Sequence, residues 1–171
     1  TGTPHAAASG ARTSEVLSPT PPVLCLSTFV PGMSLKSTRT PERTIASVIE
    51  EARAWTGRLV ELPAGEGVLL EIVRDKPWIA ACDYLGDLRS RIAVNVDLPL
   101  SAIELLILTH HETYPGHHTE RCCKEHVLVR GQGLLEETLV LTPTPQSLVT
   151  EGIAKLAPEL LLGGDGGSTL A

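Results

Sequence analysis

The sequence predicts an α+β fold that is mainly helical, with a small antiparallel or mixed sheet placed ahead of one buried helix. Three observations carry this prediction. Three short runs rich in β-branched and aromatic residues, at 68–73, 78–84 and 92–96, crowd the middle of the chain. Stretches with apolar residues at three- and four-residue spacing stand on either side of them. Between the last β run and the C-terminal stretch lies LLILTHHETYPGHHTE at 105–120, an apolar run followed at once by four histidines and two glutamates.

Each element has its own local reason. Residues 1–22 are rich in Ala, Ser, Thr, Gly and Pro without periodicity, and read as a disordered arm. Residues 23–30, with Cys25 and Phe29 and ended by Pro31-Gly32, read as a short edge strand. Thr40-Pro41-Glu42 is an N-cap, a first-turn proline and an acidic first turn. It opens an amphipathic helix to about Arg58, with Ile45, Val48, Ile49, Ala52 and Trp55 on the core face and Glu50, Glu51 and Arg53 as solvated charges. The runs 68–73 and 78–84, separated by Arg74-Asp75-Lys76-Pro77, have the form of a hairpin or two-strand ladder. Residues 92–96 add a third, half-buried strand.

Asp97-Leu98-Pro99 breaks that strand, and Ser101-Ala102-Ile103-Glu104 has the form of a capping box that starts the next helix. Its run Leu105, Leu106, Ile107 and Leu108 is apolar on nearly every face, which predicts burial. Residues 119–130 continue as a helix with Glu120, Lys124 and Glu125 exposed, ending at Gly131. Residues 134–141 form a short helical or extended run that Thr142-Pro143-Thr144-Pro145 stops. A last helix spans 146–162, marked by Leu148, Val149, Ile153, Leu156 and Leu160 and ended by Gly163-Gly164. Residues 163–171 read as a disordered tail, so 23–162 form a single domain.

Composition narrows the function. Aromatics make up 3% of 171 residues, so the core is aliphatic, and a formal charge of −6 without clustered Lys or Arg speaks against nucleic acid. No apolar run approaches the length of a membrane span, which predicts a soluble, cytoplasmic protein with no membrane partner. Cys25, Cys82, Cys122 and Cys123 form no disulfide framework. Cys122 and Cys123 lack C-x-x-C spacing and read as small residues on a helix side.

The chemistry is concentrated in His111-Glu112-Thr113-Tyr114-Pro115-Gly116-His117-His118. In the zincin signature HExxH, two histidines four residues apart bind zinc from one helical face, and the glutamate beside the first acts on water. Here the fourth position is Pro115, which has no N–H for the carbonyl of His111 and disfavours helix at Tyr114, so the helix should kink or break at 114–116. The second ligand is then His117 or His118. At about 100° per residue an undistorted helix returns His118 to the face of His111, whereas a bulged or re-entrant turn at Pro115-Gly116 can reverse that ranking, and geometry alone leaves the choice open.

This stretch resembles the HExxPGH signature of a bacterial family catalogued as domain of unknown function eight-eight-five, which is similar to gluzincin-type zinc metallopeptidases. Ile92-Ala93-Val94-Asn95-Val96 stands where that family has a strand ending in Val-Asn. Thr150-Glu151-Gly152-Ile153-Ala154 stands where it has Glu-Gly-Trp-Ala, with Ile153 in place of the tryptophan. The resemblance covers roughly half the chain, about 83–162, and implies a zincin-like catalytic domain with Zn²⁺ held by His111, His117 and Glu151 and with Glu112 as general base. It further implies hydrolysis of a peptide or small amide, with His110 or Tyr114 stabilising the oxyanion and the last strand lining a groove where a peptide adds as a further strand. Family members are longer, which makes this chain a fragment or short member whose flanking helices come from a partner chain or a second copy. The competing expectations are a non-catalytic zinc-binding module or truncated remnant, and a histidine-bearing interaction domain without metal. The plain alternative for Glu151 is a surface ion pair with Lys155 at i+4.

Overall fold

A computed structural model describes residues 41–162. The expected arm 1–22, the edge strand 23–30 and the tail 163–171 lie outside the described residues. The architecture is α+β: α1 (Pro41–Leu59), β1 (Gly67–Val73), β2 (Ala80–Gly86), β3 (Arg89–Asn95), α2 (Ala102–Glu112), α3 (His117–Lys124), a π-helical segment (Glu125–Arg130), a 3₁₀ turn (Leu135–Thr138) and α4 (Pro145–Leu162).

Helix α1 buries Ile45, Ile49 and Ala52, one face of a 3.6-residue period, as its spacing predicts. These side chains meet Ala80, Ile92 and Val94 of the sheet, Leu105 of α2, Tyr114 and Leu161 of α4 in one aliphatic core. Helix α1 packs on β1 and α2, while α2 and α3 lie against β2 and α4 crosses α2 and α3.

The sheet is mixed, in the order β1-β3-β2. Strand β3 pairs parallel with β1, Val68 opposite Ser90, and antiparallel with β2, Cys82 opposite Ile92. The hairpin expected between the first two runs is therefore misplaced. It joins β2 and β3 through Asp87 and Leu88, both at positive φ (52° and 60°), the backbone of the two-residue turn that matches strand twist. Asp-Leu lacks the glycine that usually announces such a turn, and Leu88 holds the position with its side chain buried.

The same topology overturns the expected peptide-addition edge. Strand β3 is central, both of its edges are bonded, and a further strand has nothing to pair with there. Nor is it half-buried: Ile92, Ala93, Val94 and Asn95 are all buried, as suits a central strand covered on both faces. Asn95 closes the β1–β2 connection, donating to the carbonyls of Lys76 (2.9 Å) and Trp78 (3.2 Å) and accepting from the amide of Asp97 (3.1 Å). Two burial expectations also change. Ile103 and Ile107 leave one face of α2 exposed, and Glu120, Lys124 and Glu125 are half-buried rather than exposed.

Candidate metal centre

Helix α2 starts as its capping box requires: the Ser101 hydroxyl accepts from the Glu104 amide (3.2 Å) and Glu104 accepts from the Ser101 amide (2.8 Å). It stops at Glu112, because Pro115 can supply no amide to continue the ladder. The chain then folds back over the helix end, and the Gly116 amide donates to the carbonyl of His110 at 3.1 Å. A Cβ on Gly116 would stand 1.9 Å from the carbonyl oxygen of His111 and 2.4 Å from that of His110, so only glycine fits. Helix α3 begins immediately afterwards at His117.

This reversal brings three side chains from three helices together. Glu151 of α4 presents Oε2 at 3.7 Å from Nε2 of His111 and Oε1 at 3.4 Å from Nε2 of His117. The two imidazoles meet edge to face with centroids 4.7 Å apart. One ligand atom from each residue lies within 4.8 Å of the other two. Ligands about 2.1 Å from a tetrahedral zinc stand roughly 3.4 Å apart, so this donor set fits zinc after its widest separation contracts by about 1.4 Å.

The electrostatics suit the same set. Burial lowers the pKa of His111 and pushes His117 down to about 3, with the neighbouring His111 and Arg121 adding to the effect on His117. Both rings are neutral at pH 7, the form that ligates. Burial raises the carboxyl of Glu151, against Lys155 and Arg121. Glu151 lies between the histidines, and α4 is held against α3 beside it, where the Thr150 hydroxyl donates to Glu120 (3.3 Å) and Lys124 bridges Glu120 and Glu137.

The remaining expected site residues part company. Glu112 is buried beside Ile45, Ile49, Ile92 and Val94 at the junction of α1, the sheet and α2, outside the triad. His110 is buried, its Nδ1 has no hydrogen-bond partner among the described residues, and burial pushes its pKa down to about 4. Tyr114 points into the core, and its hydroxyl donates to Glu66, which removes it from the oxyanion role expected of it.

His118 is held away from the triad. Its Nε2 meets Glu66 at 2.9 Å and its Nδ1 meets the Ser90 hydroxyl at 2.7 Å, with His118 and Ser90 fully buried. Arg53 also binds Glu66, through Nε and Nη2 at 2.6 Å each, so it is not the purely solvated charge expected on α1. Burial alone would raise the Glu66 carboxyl, but the donors Tyr114, His118 and Arg53 hold it below the ordinary carboxylate range. Glu66 and Ser90 carried no local signal in the sequence, because their partners lie 13 to 52 residues away. Cys122 stays a thiol, pushed up to about 12 by burial, and packs against His118. Among the described residues no helix is long and apolar enough to cross a membrane. The chain matches no protein-family model, no curated protein and no solved structure.

Proposed function

We propose that the chain is a zinc-dependent hydrolase of peptide bonds in which His111, His117 and Glu151 hold the metal and Glu112 is the general base. The observation that carries this reading is the convergence of two imidazole nitrogens and one carboxylate within 4.8 Å, from three separate helices, on the residues that the HExxPGH resemblance selects. Zinc, when bound, supplies a Lewis acid for the scissile carbonyl and lowers the pKa of water at the open position.

The chain's own residues do the rest. The histidines are neutral by burial, so they offer lone pairs without first losing protons. Glu112 follows His111 directly and is buried beside Ile45, Ile49, Ile92 and Val94, and in this reading it takes the proton of the attacking water. Of the two candidate oxyanion donors, Tyr114 is committed to Glu66, whereas Nδ1 of His110 is uncommitted. His110 is therefore the donor in this reading. A peptide or small amide is the substrate class, bound elsewhere than on the occupied edges of β3.

The depth of Glu112 also favours a second reading, a non-catalytic module that holds zinc for stability, since a carboxylate 3% exposed among aliphatic side chains also serves as a core residue. One pair of experiments divides the cases. Metal analysis of the purified protein should find zinc that the triple variant His111→Ala, His117→Ala, Glu151→Ala lacks. Glu112→Gln should keep its zinc and lose peptide hydrolysis; hydrolysis at the wild-type rate would end the catalytic reading. No zinc in the wild type would end both.

A further inference from the structure

Tyr114 and His118 bracket the ligand His117 along the chain, and both are tied to the same buried side chain. That side chain is Glu66, on the turn before β1, whose amide bonds the carbonyl of Pro63 at 3.2 Å and whose carboxylate is 1% exposed. The second nitrogen of His118 is fixed by Ser90 of β3. A neutral imidazole has one donor and one acceptor, and both are used: Nε2–H donates to the carboxylate, and Nδ1 accepts from the hydroxyl. With His118 locked toward the sheet, the residue before it, about 100° away around the first turn of α3, faces Glu151.

We infer that Glu66 is a positioning residue of the metal centre, selecting His117 over His118 as the second histidine ligand by holding the chain on both sides of it. The inference rests on the zinc-site reading above. A carboxylate is required there because it only accepts. Three donors converge on it, and an amide would turn its NH₂ toward one of them. Partners that orient ligands from outside the coordination sphere commonly change metal affinity by 10–100-fold when lost.

The test is a zinc-affinity titration of the full chain against a competing chelator, with Co²⁺ as a spectroscopic probe. Glu66→Gln and Tyr114→Phe should keep a folded far-ultraviolet dichroism spectrum, bind zinc about 10–100-fold more weakly, and alter the visible bands of bound Co²⁺. In the Glu66→Gln background, His117→Ala should cost less affinity than it does in the wild type, because the released His118 substitutes for it. A purely structural role for Glu66 moves neither the Co²⁺ bands nor that difference. Should Glu66→Gln fail to fold, Tyr114→Phe, which removes one hydroxyl and keeps the ring, decides the matter by the same readouts. Wild-type zinc binding with unchanged affinity and Co²⁺ spectrum in the folded variants overturns this inference alone. A wild-type chain that binds no zinc overturns the metal reading and this inference with it.

Discussion

Gly116 is the residue on which the candidate centre bears hardest. Its φ of −72° is open to any amino acid, so what is demanded is space: a methyl group there meets two backbone oxygens, neither of which can swing aside. Gly116→Ala should therefore cost on the order of 3 kcal/mol in urea unfolding and abolish the approach of His117 to His111. Gly152, in the interior of α4 with nothing within 4 Å of an added Cβ, is the matched control. Gly152→Ala should gain roughly 0.5–1 kcal/mol from helix propensity, and equal effects at the two sites would refute the steric account. The break itself was legible in the sequence because Pro115 lacks an amide, a property of one residue. The choice between His117 and His118 was not legible, because Glu66 and Ser90 make it from other parts of the chain.

Helix α4 shows how a correct element can be read from the wrong face. Leu148, Val149, Leu156 and Leu160 made it legible, yet each is more than half exposed, whereas Ala154 and Ala157 are fully buried and Leu161 joins the core. Small residues let the α4 backbone approach α2 and α3 closely, and that closeness brings Glu151 between the histidines. Ala154→Leu should thus cost about 1–3 kcal/mol by overpacking and weaken the zinc binding proposed for the triad by displacing α4. Leu156→Gln should stay within about 0.5 kcal/mol of the wild type, since its side chain is already in water. If the leucine substitution proves as costly as the alanine one, the exposed stripe is covered in solution. Strand pairing was hidden for a different reason. Period-2 alternation marks a strand but does not name its neighbour, and Asp87-Leu88 lacks the residues that mark a tight turn.

The whole molecule carries its polar chemistry inside an aliphatic shell, and this sets its response to acid. The α+β class and the order of elements followed from apolar periodicity and breaker residues, and the apolar run 105–108 announced burial of the histidine-bearing helix; the sealing of His118 against Glu66 and Ser90 was not legible, since it is decided by long-range packing. His110, His111 and His118 are all less than a tenth exposed, and burial lowers each pKa. A histidine whose folded pKa lies below its unfolded value of 6.5 contributes stability that is complete above pH 6.5. That stability is lost as the pH falls, because the unfolded chain takes up protons the folded chain refuses. For His110 the window runs from 6.5 down to about 4 and represents on the order of 3 kcal/mol. Glu66, held below the ordinary carboxylate value of 4.5 by its donors, extends the loss to still lower pH with the same sign. Tyr114 acts only at the other end: its pKa is raised by burial and by Glu66, so its contribution is present at neutral pH and lost above about pH 10. Metal-free protein, kept so with a chelator, should show a urea midpoint that is flat between about pH 7 and 9 and falls steadily from about pH 6.5 to 4. His110→Asn should flatten part of that fall by removing one refused proton. A midpoint that holds constant down to about pH 5 would mean that these imidazoles titrate as they do in water, and that α2 and α3 do not enclose them.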